Sequence, residues 1–208
     1  MKLYLSSFRL GNRPDKLRSM VVGRTVGFVP NALDHLDEAE RAKWNGLALA
    51  EVNGIGIETA QLDLRDFFGR PEGLADRLGR LGGVWVRGGN AFVLRQAMQL
   101  SGFDSLIPDR VGPDFVYAGY SAGVCVLGPR LDGLQLVDDP SVQPYGGSEV
   151  VWDGLGVLDY LILPHYDSDH PESESIGRAI GYCDAEGIAC RPLRDGEVIV
   201  TDRFAGAA

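Results

Sequence analysis

Three scarcities frame this sequence of 208 residues. Cysteine occurs only as Cys125, Cys183 and Cys190, an odd number without a C-x-x-C pair. That argues against a disulfide scaffold and against a cysteine zinc site, so no metal is expected. Basic residues are outnumbered: 20 Lys plus Arg against 29 Asp plus Glu give a net charge of −9. A nucleic-acid partner needs a positive footprint and an anionic membrane surface needs a polybasic patch, and neither is present. Long apolar runs are also missing, since none approaches the ~20 residues that span a bilayer. The start, Met1 to Ser7, carries one basic residue and too short an apolar stretch for a signal peptide. The expected location is therefore the cytoplasm, where thiols stay reduced.

What remains is an ordinary globular composition, 45% hydrophobic and 24% charged, of a size suited to one domain. Short apolar or β-branched runs alternate with longer helical stretches. Strands are expected at Lys2–Ser6, Thr25–Val29, Ile57–Leu64, Val84–Val86, Phe115–Ala118 and Leu158–Leu163. Helices are expected from Asp34 to about Val52, over Ala91–Leu100, and from Glu172 to about Glu186. In the first of these, Leu36, Ala39, Trp44, Leu47 and Ala48 form an approximate apolar stripe. Ile188–Leu193 and Glu197–Thr201 are read as a closing pair of strands around the turn signal Asp195-Gly196. No linker and no repeat divides the chain. The alternation predicts one α/β domain over residues 1–208, a mainly parallel sheet with helices on both faces. Its ligands should bind beyond the carboxyl ends of the strands.

At the end of the fifth expected strand stands Gly119-Tyr120-Ser121-Ala122-Gly123, a G-x-S-x-G between a strand and an expected helix start. A strand-to-helix elbow is tight, and side chains at its two glycines would clash across it. The turn exposes the Ser121 hydroxyl, and the helix start aims N–H groups at a developing anion. A serine needs a base. Of three histidines, His35 lies in an acidic helix start and His170 precedes a helix, whereas His165 directly follows a buried strand. His165 is therefore the expected general base. An acid must orient it. Asp195 is the candidate, with Asp132, Asp138 and Asp139 as competitors. Two N–H donors are needed for an oxyanion; Ala122 supplies one and the Gly88-Gly89-Asn90 turn can supply the other.

Together these residues resemble the peptidase E family, the α-aspartyl dipeptidases of the S51 serine peptidases. Arg87-Gly88-Gly89-Asn90-Ala91-Phe92-Val93-Leu94 is similar to the family's G-G-N-T-F-x-L, Gly119 to Gly123 to its G-[WY]-S-A-G, and Pro164-His165-Tyr166 to its P-H-[FY]. The resemblance runs over most of the chain. It implies a class I glutamine amidotransferase-like fold, a flavodoxin-like three-layer sandwich, with Ser121, His165 and Asp195 as the catalytic triad. It also implies Gly89 and Ala122 as oxyanion donors, Asp132 as an alternative acid, Asn90 and Tyr120 as substrate contacts, and no cofactor. The expected reaction is hydrolysis of small peptides, with Asp-X dipeptides as one candidate. The characterised aspartyl dipeptidases hold the substrate β-carboxylate with an arginine after P-H-[FY]. Here that stretch opens with Glu172 and Glu174, and its single arginine, Arg178, comes several residues late. Two glutamates beside an acidic substrate repel it. A cyanophycinase-like or amidase activity and an inactive ligand-binding member of the fold are the alternatives.

Overall fold

Strands and helices alternate along the chain in the computed structural model, which describes residues 1–108, 114–147 and 149–202. The order begins β1 (Lys2–Ser6), α1 (Pro14–Met20), β2 (Val26–Val29), α2 (Glu38–Gly54) and β3 (Thr59–Gln61). It continues α3 (Pro71–Gly79), β4 (Gly83–Val86), α4 (Ala91–Ser101), α5 (Phe103–Leu106), β5 (Val116–Tyr120) and α6 (Ala122–Cys125). β6 (Leu161–Leu163), α7 (Ser173–Glu186), β7 (Cys190–Pro192) and β8 (Val198–Asp202) complete it. Six strands form one sheet in the order β3-β2-β4-β5-β1-β8, parallel except that β8 runs antiparallel to β1. β6 and β7 pair in parallel as a separate two-stranded sheet. This is the expected α/β class with a mainly parallel sheet.

The central strands are apolar throughout because both of their faces are covered. Successive residues divide between two cores with a period of two. Leu3, Leu5, Val84, Val86 and Tyr117 pack with Leu74 and Leu78 of α3 and with Phe92, Leu94 and Met98 of α4. Tyr4, Trp85, Val116, Ala118 and Tyr120 pack on the other side with Leu17 and Met20 of α1 and with Ala48 and Val52 of α2. Each large side chain buried this way contributes roughly 1.5–3 kcal/mol, so the alternation fixes the register firmly.

Local chemistry sets the helix starts. Pro14 and Pro71 open α1 and α3 in the first turn, where a missing N–H costs nothing. Asp37 caps α2 by accepting from Glu40 N, and Asn90 caps α4 by accepting from Phe92 N and Val93 N.

The structure corrects several expectations. The long second helix starts at Glu38, not Asp34, because Asp34 is drawn into a buried network with Asn31 and Tyr145. Trp44 and Leu47, members of the expected apolar stripe, are 43% and 54% exposed and line a cavity rather than fill the interior. The third strand is only Thr59–Gln61, and Leu64–Phe67 winds into a 3-10 turn capped by Asp63. The two closing strands do not pair with each other. β7 joins β6 and β8 joins β1, although a tight turn between them does form, with Glu197 N donating to Arg194 O at 2.9 Å.

Candidate active site

Because the strands of the main sheet other than β8 run the same way, the residues that follow β1, β4 and β5 gather at one edge. Ser7, Arg87 to Asn90, and Ser121 occupy these positions. His165 follows β6, and Asp195 lies in the turn between β7 and β8. Ser121 N donates to Ser7 O at 3.1 Å, and Ser7 N donates to Glu197 O at 3.1 Å, so the edge is tied to the turn carrying Asp195.

Ser121 sits at φ 50° and ψ −124°, outside the helical range, and is 9% exposed. A left-handed backbone at a non-glycine residue costs of order 1–3 kcal/mol and is characteristic of functional turns. The elbow is as tight as its glycines imply. A Cβ on Gly123 would meet Val86 O at 2.3 Å, and one on Gly119 would meet the same oxygen at 2.6 Å.

His165 is 1% exposed and also adopts a positive φ, 61°. Its Nδ1 lies 2.7 Å from Asp195 Oδ1. With a proton on Nδ1 donated to that carboxylate, Nε2 carries the free lone pair. The ring stacks on His170 at 3.7 Å between centroids with 8° between planes, and Phe8 approaches both imidazoles edge-on. Burial is the main force holding the His165 pKa below the usual 6.5, with the neighbouring His170 acting in the same direction. A neutral imidazole at pH 7 is the form a general base requires.

Ser7, which carried no motif signal, organises this pair. Its backbone and side chain are fully buried. Its hydroxyl accepts from His165 N at 2.8 Å and shares its proton between Asp195 Oδ1 at 3.0 Å and Leu193 O at 3.2 Å. Ser168 Oγ accepts from Asp195 N at 2.8 Å. Asp195 is thus held at two points, its carboxylate by Ser7 and His165 and its backbone by Ser168.

Gly89 sits at φ +142°, and a Cβ there would meet Ala32 O at 2.6 Å, so only glycine brings this backbone into place. Among the described residues, neither the Gly89 nor the Ala122 amide has an acceptor. The neighbouring turn is pinned by Asp138, whose Oδ2 accepts from Ala91 N at 2.8 Å, and by Asn90 Nδ2, which donates to Asp139 O at 3.1 Å. Burial pushes the Asp138 carboxyl up to about 7.

A cavity of about 330 Å³ opens over Ser121 and His165. Gly88, Gly89, Tyr120, His170 and Glu172 line it, as do Phe8, Arg9, Trp44, Leu47, Ala48, Glu51 and Arg87. Among the described residues Ser121 Oγ makes no direct hydrogen bond to His165, whose Nε2 lies 3.8 Å from Glu172 Oε2. Catalytic hydrogen bonds are often long until substrate closes them.

The sequence-based candidates separate clearly. Ser121, His165, Asp195, Gly89, Ala122 and Tyr120 come together. Asp132 instead pairs with Arg130 at 2.7 Å. Asn90 is occupied as a helix cap. Arg178 bonds to Glu174 at 2.9 Å and to Ser175 on the outer face of α7 and does not line the cavity. Of the two suspect glutamates only Glu172 faces the site. Ligand atoms of His165, His170 and Glu172 lie within 4.8 Å of one another. The two imidazole planes are parallel, however, so their in-plane lone pairs do not converge on a common metal position as tetrahedral ligation requires.

A serine elbow beside a carboxylate-held histidine, on a mainly parallel sheet, defines a hydrolase-type site. The chain belongs to Peptidase family S51, whose sequence model matches residues 12–203. It is 28% identical over 158 residues to an uncharacterized peptidase of Listeria innocua, covering 74% of this chain and 69% of that protein. It is 32% identical over 156 residues to peptidase E of Streptomyces coelicolor, covering 74% of this chain and 56% of that protein. The fold is similar to that of a candidate peptidase E from Listeria monocytogenes, with a TM-score of 0.72, 23% identity, and 97% and 98% of the two chains covered. The resemblance expected from the motifs is therefore a family membership, and the protein is a peptidase of the peptidase E type. Among the described residues no helix is long and apolar enough to cross a membrane.

Proposed function

We propose that this peptidase hydrolyses dipeptides through an acyl-enzyme on Ser121, with His165 as general base and Asp195 as its orienting acid. Ser121 Oγ attacks the scissile carbonyl while His165 Nε2 takes its proton. Asp195 holds the tautomer and stabilises the imidazolium. The Gly89 and Ala122 amides receive the oxyanion. His165 then protonates the leaving amine, and water repeats the sequence to release the acid. The observation that carries this reading is the 2.7 Å contact of His165 Nδ1 with Asp195 Oδ1 in a cavity shared with Ser121. A cavity of about 330 Å³ suits a small substrate. Glu172 gives a free α-ammonium a partner.

A second reading, an amidase or cyanophycinase-like hydrolase of non-aspartyl substrates, is favoured by the same Glu172, which repels a carboxylate placed beside it. The test is a panel of Asp-X, Glu-X and neutral dipeptides with wild type and Ser121→Ala. Hydrolysis abolished by the substitution is the expected result. Turnover of neutral dipeptides but not of Asp-X keeps the dipeptidase and removes the aspartyl preference, whereas hydrolysis of simple amides with no dipeptide turnover selects the second reading. No turnover of any member, with small ligands still bound, points to an inactive binding protein.

A further inference from the structure

Charge in the cavity wall is unevenly matched. Arg9, Glu51, Arg87 and Glu172 all line it. Glu51 has Arg9 beside it and accepts from the Leu10 backbone. Glu172 faces the imidazole of His165. Arg87 is different. It is 8% exposed, yet its Nε donates to Gly88 O at 2.8 Å and its Nη1 to Asn45 Oδ1 at 2.8 Å, both neutral acceptors. The Tyr120 hydroxyl, also uncharged, is its other neighbour. Among the described residues no carboxylate comes within 4.0 Å of its guanidinium. Arg95, also buried, shows the usual solution and pairs with Asp104 at 3.0 Å.

A desolvated guanidinium with only neutral partners is costly and is normally retained where a counter-charge arrives. The position of Arg87 says where that charge would arrive. It directly precedes Gly88, which packs so close to the nucleophile that a Cβ there would meet Ser121 Cβ at 2.7 Å. Two of the five N–H groups of an arginine are used by Gly88 and Asn45. The Tyr120 hydroxyl engages a third, and the N–H groups that remain on the guanidinium are donors of the kind that grips a carboxylate.

We propose that Arg87 is the anion-recognition residue of this cavity and that the substrate presents a carboxylate to it. The inference rests on the hydrolase reading of the site and adds a specificity determinant to it. The carboxylate has two possible sources, the side chain of the acyl residue or the C-terminus of the leaving residue. The cavity then reads a zwitterion, with Glu172 on the His165 side and Arg87 on the wall shared with α2.

The test separates binding from turnover. Ser121→Ala protein, which cannot form the acyl-enzyme, is titrated calorimetrically with three peptides: Ala-Ala-amide, Asp-Ala-amide and Ala-Ala. The first has no carboxylate, the second only a side-chain one and the third only a terminal one. At least one carboxylate-bearing peptide should bind 10-fold or more tighter than Ala-Ala-amide, on the order expected for a buried charge pair. Adding Arg87→Met should erase that preference, whereas Arg87→Lys should keep part of it. Whichever peptide shows the gain names the carboxylate. Equal affinity for all three peptides overturns the inference, as does a preference that survives Arg87→Met. A uniform loss for all three peptides makes Arg87 a structural tie between Asn45 and Gly88, which also overturns it. If Arg87→Met does not fold, Arg87→Gln carries the same comparison, and the three-peptide ranking in Ser121→Ala stands as a test alone. Failure of the protein with Ser121 intact to hydrolyse any dipeptide counts against the peptidase mechanism, not against Arg87.

Discussion

Replacing Ser7 by alanine removes one oxygen and disturbs three groups at once. The His165 N–H, buried and bonded at 2.8 Å to that oxygen, loses its acceptor. Asp195 Oδ1 loses a donor at 3.0 Å and retains only His165 Nδ1 on that atom. A buried donor left unsatisfied costs about 1–3 kcal/mol, and a hydrogen bond to a charged group contributes about 1.5–3 kcal/mol. Partial relaxation makes about 2–4 kcal/mol a fair expectation for the whole substitution. For a chain of this size each kcal/mol moves the melting temperature by about 2–4 °C, so Tm should fall by about 4–16 °C. The effect on turnover has a separate origin. His165 is held at φ 61°, a conformation that survives only when its surroundings over-determine it. Without Ser7 the imidazole and the carboxylate both gain freedom, and misplacement near 1 Å costs about 100-fold in rate. Ser7 does not line the cavity, so kcat should fall by about 10- to 100-fold with KM nearly unchanged. Calorimetric melting and steady-state kinetics on the best dipeptide measure the two effects. A variant that melts within about 1 °C of wild type and keeps its kcat refutes the role given to Ser7, since each lost bond should register on both scales.

Other substitutions follow from the same geometry. Asp195→Asn should lower kcat by about 10⁴-fold through the wrong imidazole tautomer, while Asp132→Asn, whose carboxylate pairs with Arg130, should leave kcat unchanged; equal losses in both would dissolve the assignment. The His165 pKa is depressed, so the active neutral base is present above it and activity falls as pH drops through it. His170→Ala removes a neighbour that lowers this pKa and opens the ring to solvent, so the acidic limb of the kcat/KM profile should move to higher pH; a limb that stays put or moves lower contradicts the stacking account. The Asp138 carboxyl is raised to about 7, so its contribution to stability is present below its unfolded value near 4 and is lost as pH rises through 7. Asp138→Asn, which keeps an acceptor for Ala91 N, should therefore gain stability relative to wild type at pH 8 and not at pH 4, as read by denaturant titration. Gly123→Ala places a Cβ 2.3 Å from Val86 O and should abolish soluble expression or activity; a wild-type melt would refute the tight-elbow reading.

Features written in local chemistry were legible in the sequence. The sheet class follows from apolar runs alternating with longer helical stretches, and the Ser121 elbow from glycines whose spacing has a steric cause. Helices α1 and α3 were not read, because each is short and begins on a proline that resembles a loop signal as much as a helix start. The closing strands misled for a related reason. Asp195-Gly196 does make a turn, but strand partners are chosen by long-range burial, and β6 and β1 offer more of it than β7 and β8 offer each other. Trp44 and Leu47 fit a helical stripe, yet periodicity cannot distinguish a core face from a cavity wall. Ser7 and Arg87 lay beyond sequence reasoning altogether. The one acts across 158 positions on His165, and the meaning of the other lies in the absence of a carboxylate partner among the described residues, which only three-dimensional packing reveals.

The turn bearing Asp195 is where the two sheets meet, one strand of it entering each. During synthesis Ser121 and His165 leave the ribosome well before that turn. A nascent chain that already displays Ser121 has neither the Asp195 carboxylate nor the turn before β8 that binds Ser7. With Asp195 as the orienting acid proposed above, hydrolytic competence switches on only when β8 zips onto β1. On the proposed mechanism, truncations ending before residue 195 are silent even where most of the main sheet has formed.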